Sequence, residues 1–151
     1  MDLVPELMNW NTRGLNDPAK RDAVREFVEP LHVNLVCLQE TKMQSFDRYT
    51  VLQCLGPSFD GFAFLPAVDT RGGILIAWDT TVLEVTNIVS DSFMLTGEVV
   101  CRSGAPWWLT VVYGPQTAAL KLQFLEELEA RRALYPGPWM MIGDFNMILR
   151  A

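Results

Sequence analysis

A chain of 151 residues with 50% hydrophobic content is long enough for one α/β or α+β domain with a sizeable core. Its net charge of −6 excludes nucleic-acid binding through a polybasic surface, because such binding draws its affinity from Lys and Arg neutralising phosphates. No stretch reaches the roughly 20 apolar residues of a membrane span, MDLVPELMNW lacks the basic and apolar regions of a secretory signal, and three scattered cysteines without a C-x-x-C pattern suggest neither zinc nor disulfides, so a reducing intracellular setting, cytoplasmic or nuclear, is expected.

In chain order, LMNW (7–10) reads as a short apolar strand ending at Asn11. Asp17 and Pro18 then open a helix as N-cap and first helical residue, Ala23, Val24, Phe27 and Val28 fall on one face, and Pro30 ends the pattern. VNLVCL (33–38) is a continuous apolar run, as expected of a strand buried on both faces. Strand, helix and strand together predict a parallel pair joined by a right-handed crossover. Asp47 and Arg48 read as a solvated loop.

Between 61 and 113 the pattern changes to short β-prone segments, GFAFL, GGILIAW, VLEVTNIV, FMLTGEVVC and WWLTVVY, punctuated by Pro, Gly, Asp and Ser as in antiparallel hairpins. RGG (71–73) starts a hairpin; it lacks the spacing and following helix of a phosphate-cradling loop. Helical spacing returns in TAALKLQFLEELEARRAL, with Leu120, Phe124, Leu125 and Leu128 on one face, PGP (136–138) breaks it, and WMMIG is the last strand. Parallel crossovers at both ends and a meander between them predict sheets covered by helices.

The polar residues are informative by position. Asn11, Glu40, Tyr113 and Asp144 each stand where a strand ends, the place at which sheets with crossover helices bind ligands. Singly, each is ordinary strand-end chemistry: Asn11 caps a turn, Tyr113 packs, and Asp144 with Asn146 forms an Asx-turn. Glu40 is the exception, since a carboxylate directly after a buried strand must be solvated, paired or bound to metal. Two carboxylates with amides, and no His or Cys cluster, suit a hard cation such as Mg²⁺ or Mn²⁺ acting on a phosphate ester. His32, between helix and strand, reads as a surface or packing residue, and no G-x-S-x-G is present.

In order and spacing, NWNTRGLND, VCLQETK, RGGILIAW, TVVYGP and PWMMIGDFN resemble the signature segments of the endonuclease/exonuclease/phosphatase superfamily, and more narrowly the endonuclease domain of plant LINE-type retrotransposons. The similarity runs from about Leu7 to Leu149. It implies a DNase I-like α/β fold, a two-sheet β-sandwich flanked by helices, with the site in the cleft at the strand ends. It also implies roles: Glu40 as main metal ligand, Asn11 near metal and phosphate, Tyr113 on the scissile phosphate, Asp144 activating water, and Asn146 supporting both. Gln39 and Lys42 flank the glutamate and hold its hydrogen-bond and charge network, Mg²⁺ or Mn²⁺ is the cofactor, and DNA is the substrate of the complete domain.

Two departures qualify the resemblance. Arg13 stands where some abasic-site nucleases place an acidic residue, which points to the retroelement branch. The family also continues past GDFN to a further Asp and a Ser-Asp-His motif, so the expectation is a truncated domain over 1–151, impaired in turnover and with unpaired sheet edges. A missing acid–base histidine is worth roughly 10²–10⁴-fold in rate. A non-catalytic fragment, and a phosphatase or deadenylase of the same superfamily, stay open as alternatives.

Overall fold

A computed structural model describes residues 5–135 and 137–147 of the chain. Pro136 of the helix-breaking PGP, the N-terminal residues 1–4 and the last part of the resemblance, residues 148–149, lie outside the described residues. Twelve stretches of regular structure follow one another: β1 (Leu7–Asn11), α1 (Pro18–Val28) with a 3-10 turn (Glu29–Leu31), β2 (Leu35–Gln39), α2 (Arg48–Leu55), β3 (Gly61–Leu65), β4 (Ile74–Trp78), β5 (Leu83–Ser90), β6 (Met94–Cys101), β7 (Trp107–Tyr113), α3 (Ala118–Leu134) and β8 (Trp139–Asp144).

The strands form two four-stranded sheets with orders β1-β2-β4-β3 and β5-β6-β7-β8. Both expected crossovers are parallel, β1 with β2 and β7 with β8, and the pairings between them are antiparallel. The predicted meander is divided: β3 and β4 complete the first sheet, and β5 to β7 make the second. The chain therefore builds a DNase I-like sandwich whose sheets face each other and carry helices outside.

Alternation along the strands sorts side chains into three apolar layers. Leu35, Cys37, Ile74, Ile76, Leu109 and Val111 fill the space between the sheets, while Val36, Leu38, Leu75 and Ala77 face the other way onto Val24 and Val28 of α1 and Val51 and Leu55 of α2. Each such fully buried aliphatic side chain contributes about 1.5–3 kcal/mol. On the far side, Phe124 of α3 seats on Met94 and Val112. Beneath this helix Trp139 Nε1 donates to Thr110 Oγ1, which shares a hydrogen with Thr96 Oγ1, each at 2.8 Å.

Three local expectations are corrected. Asp47 and Arg48 are not loop: Asp47 caps α2, its carboxylate accepting from Thr50 N and Thr50 Oγ1 at 2.8 Å. The weakly amphipathic RYTVLQCL hid the helix from a periodicity reading. On α1 the buried stripe is Val24 and Val28, whereas Ala23 is exposed and Phe27 is 57% exposed, because Phe27 leans over Trp10 of the edge strand β1, ring centroids 5.0 Å apart. On α3 Phe124 is buried but Leu120 and Leu125 are exposed, because only Phe124 and the partly buried Leu128 of this helix pack with Met94 and Val112 of the second sheet.

Among the described residues β1 pairs only with β2 and β8 only with β7, and Met140 and Met141 are 46% and 40% exposed on the two faces of β8. No described helix is long and apolar enough to cross a membrane.

Candidate active site

Because β1 and β2 run parallel in one sheet, and β7 and β8 in the other, all four deliver their carboxyl ends to one side of the sandwich. Alternation turns Asn9, Asn11 and Gln39 toward the opposing sheet, in line with Leu7, Leu35 and Cys37 of the inner core. The result is a polar rim directly beyond an apolar interior.

A hydrogen bond joins the two sheets there: Asn11 Nδ2 donates to Asp144 Oδ2 at 3.1 Å. Asn11 Oδ1 accepts from Arg13 N at 3.1 Å, which fixes the amide's orientation. The other carboxylate oxygen, Asp144 Oδ1, accepts from Asn146 N at 2.9 Å, the Asx-turn expected from the sequence, and Asn146 Nδ2 donates to Gly114 O at 2.5 Å. The Asp144 carboxylate is thus held by amides, with no cation paired to it among the described residues; a carboxylate so held keeps lone pairs for a water proton.

Glu40 and Lys42 sit on a segment that leaves β2 in an unusual conformation. Both residues have left-handed backbone, φ 51° and 57°, as do Arg13 at 56° and Asn146 at 49°. Non-glycine residues in that region cost of order 1–3 kcal/mol each and persist only where neighbours over-determine them. Here Gly14 N and Leu15 N donate to Glu40 O and Thr41 O at 2.7 and 2.8 Å, while Thr41 N and Lys42 N donate to Gly73 O and Gly72 O at 3.2 and 2.8 Å. Segment 40–42 is clamped on both sides, and a Cβ on Gly73 would collide with Thr41 Oγ1. Lys42 Nζ lies 3.9 Å from Glu40 Oε1, a loose ion pair with both side chains partly exposed.

Tyr113, at the end of β7, is half-buried between the two carboxylates. Burial raises its phenol above the ordinary value, Glu40 and Asp144 push it the same way, and the Asn146 amide opposes them, so the group stays protonated through neutral pH. The neutral phenol is a hydrogen-bond donor.

The residues expected to act together occupy two adjoining recesses. One, of about 600 Å³, is lined by Asn9, Asn11, Gln39, Asp144 and Asn146. The other, of about 670 Å³, takes in Glu40, Lys42 and Tyr113. Gln39 is 1% exposed, its Nε2 donates to Asn9 Oδ1 at 2.5 Å, and its Oε1 is buried with no partner among the described residues. Asn9 escaped the sequence reading, although N-x-N in a strand puts two amides on one face. His32, the chain's one histidine, is exposed on the 3-10 turn before β2, at the opposite end of that strand from Glu40.

Among the described residues no three His, Cys, Asp or Glu side chains gather as a metal cluster. The donor set is sparse and hard, the Glu40 carboxylate with the Asn11 amide oxygen nearby in sequence register, and it fits a Mg²⁺ or Mn²⁺ ion that keeps several waters and takes further oxygens from a phosphate.

Architecture and site together define a DNase I-like two-sheet α/β sandwich with a carboxylate and amide rim at one end. The sequence profile of the Endonuclease/Exonuclease/phosphatase family matches residues 8–151, and the chain belongs to that family. Solved structures similar to it include the catalytic domain of Xenopus laevis APE2, with a TM-score of 0.70 and 16% identity over 96% of this chain and 59% of that one. ANGEL2, a 2',3'-cyclic phosphatase in complex with adenosine-2',3'-vanadate, superposes with a TM-score of 0.70 and 12% identity over 95% of this chain and 54% of that one. D. rerio TDP2 complexed with single strand DNA product gives 0.65 and 17% over 95% and 61%. The chain thus spans little more than half the length of these structures, and the likeness is one of fold. No curated protein matches it.

Proposed function

We propose that this chain is the N-terminal portion of a divalent-metal-dependent phosphodiesterase domain, a DNA-nicking endonuclease of the LINE-type retroelement branch. The observation that carries the reading is the Asn11–Asp144 hydrogen bond, which brings the carboxylate of one sheet and the metal-side rim of the other to a common cleft. The retroelement branch rests on NWNTRGLND and GGILIAW, including Arg13 where an acidic residue would favour an abasic-site enzyme.

Glu40 and the Asn11 amide would hold the cation, which when bound would supply neutralisation of charge on the phosphate and on the departing oxygen. Asp144, fixed by Asn11 and Asn146, accepts a proton from the attacking water as that water's oxygen bonds to phosphorus and the opposite P–O bond breaks. Tyr113 donates to a non-bridging phosphate oxygen, and Asn146 keeps the loop after β8 against Gly114. Lys42 pairs loosely with Glu40 from the solvent side, and Gln39, the residue before it, anchors the end of β2 to Asn9 of β1.

The test is conversion of supercoiled plasmid to the nicked circle by the full chain with Mg²⁺. Glu40→Gln and Asp144→Asn are expected to lower nicking by at least 10²-fold; nicking that survives both substitutions overturns the assignment. One observation favours a second reading, a binding-competent fragment with little turnover: the single histidine lies at the wrong end of β2 to act on the phosphate. Wild-type protein that binds DNA but leaves the plasmid supercoiled decides for that reading.

A further inference from the structure

The second recess extends well beyond Glu40 and Tyr113, and its lining is unlike the first. It continues along the loop between β3 and β4, the turn between β5 and β6, and the start of α3, with Pro66, Val68, Phe93 and Leu120 as its apolar wall. Its ionisable lining consists of Lys42 and Arg71 against Glu40, and of Tyr113. In a chain of net charge −6 this is a local excess of cation.

The loop is shaped to present a cation beside an apolar side chain. Val68 N donates to Arg71 O at 2.9 Å and Arg71 N to Val68 O at 3.0 Å, closing a tight turn with Asp69 in left-handed backbone at φ 57°. Paired in this way, Val68 and Arg71 stand on the same side of the turn. Arg71 is exposed and its side chain makes no hydrogen bond or ion pair among the described residues, while Val68 is 75% exposed. Gly72 follows immediately, close enough to the Tyr113 ring that a Cβ there would stand 3.6 Å from it, so the turn abuts the phosphate-facing phenol.

We propose that this groove takes one unpaired nucleotide of a DNA strand adjoining the scissile phosphate, with Arg71 on the neighbouring phosphate and the base against Val68, Phe93 and Leu120. The inference rests on the phosphodiesterase reading above and adds a substrate form to it. A sugar or inositol phosphate has no use for an apolar wall, whereas an unstacked base presents a flat apolar face to one. A paired base keeps that face inside the duplex. Lys42 and Arg71 supply the phosphate contacts that the rest of the acidic surface cannot.

Binding of a short fluorescent single-stranded oligonucleotide, and of a blunt hairpin duplex of the same sequence, to the full chain is followed by anisotropy with Ca²⁺ replacing Mg²⁺. The single strand is expected to bind more tightly. Arg71→Ala should weaken it about 3- to 10-fold and reduce the slope of log affinity against log salt by about one. Val68→Ser should weaken it about threefold with an unchanged slope. Both positions are exposed, so folding is not at stake. Arg102→Ala, on the turn between β6 and β7 at the far end of β6, is the control expected to do nothing. Equal affinity for duplex and single strand, or wild-type binding and slope in both groove variants, overturns the proposal. If Glu40→Gln abolishes plasmid nicking while the groove variants behave as wild type, the groove fails and the site stands. Nicking that survives Glu40→Gln and Asp144→Asn, with binding lost on Arg71→Ala, has the opposite meaning.

Discussion

The Asn11 amide donates to the Asp144 carboxylate across 3.1 Å, although 133 residues separate them and each stands at the end of a strand in a different sheet. Asn11 sits on β1 and Asp144 on β8, and both strands are sheet edges among the described residues, so this bond pins the mouth of the sandwich where no backbone ladder can. Asn11→Ala should therefore cost about 1 kcal/mol in a urea melt and lower plasmid nicking by much more than that energy accounts for. Asn11→Asp sets two carboxylates face to face and should do worse on both counts, with stability partly recovered as acid protonates the pair. Stability and nicking that fall together by the same energy in Asn11→Ala reduce the residue to a structural role.

Gly143 precedes Asp144 in β8 at φ 135°, and a Cβ there would run into the carbonyl of Val112 on the neighbouring strand. Gly114 faces the same difficulty with the carbonyl of Phe145. Close approach of the β7 and β8 backbones is what brings Tyr113 and Asp144 into register. Gly143→Ala is expected to destabilise the protein by about 2–4 kcal/mol and to displace Asp144. Thermal melting checks it against Gly104→Ala, where the backbone is also at positive φ, 96°, but a Cβ would meet nothing, so that the difference between the two variants isolates the clash with Val112.

The raised phenol of Tyr113 has a definite sign in pH. Its folded-state value lies above the unfolded one, near 10, so the associated stability is fully present below pH 10 and is lost as pH climbs through the folded value. Tyr113→Phe should remove one phenolate step above pH 10 from the alkaline titration read by ultraviolet absorbance. It should also lower nicking roughly 10- to 100-fold through loss of one donor to the phosphate. A Tyr113→Phe protein with the same alkaline titration as wild type contradicts the placement.

Thiol chemistry reports the packing independently. Burial pushes Cys37 far up and Cys54 to about 11, whereas Cys101 is only partly buried and is raised by less complete desolvation. A disulfide reagent at neutral pH should label one thiol quickly in the native protein and all three in denaturant. Rapid reaction of Cys37 would mean that the core between the sheets is not closed.

Sequence by itself determined the strands, because LVCLQ and WWLTVVY carry the apolar runs of doubly covered strands, LMNWN a shorter one that ends in a polar residue, and their separators carry turn chemistry. It also marked Asn11, Glu40, Tyr113 and Asp144, since a polar residue at the end of a buried run is visible without any knowledge of what lies opposite. What it could not supply were relations between distant segments: the division of the meander between two sheets, the reduction of α1 and α3 to narrow buried stripes, the capped helix after Asp47, and the left-handed clamp on segment 40–42. The same holds for Asn9, Arg71 and the separation of the predicted residues into two recesses. Local pattern reports which face of an element is apolar, but only tertiary packing decides which neighbour covers that face, and therefore which polar groups are left facing the cleft.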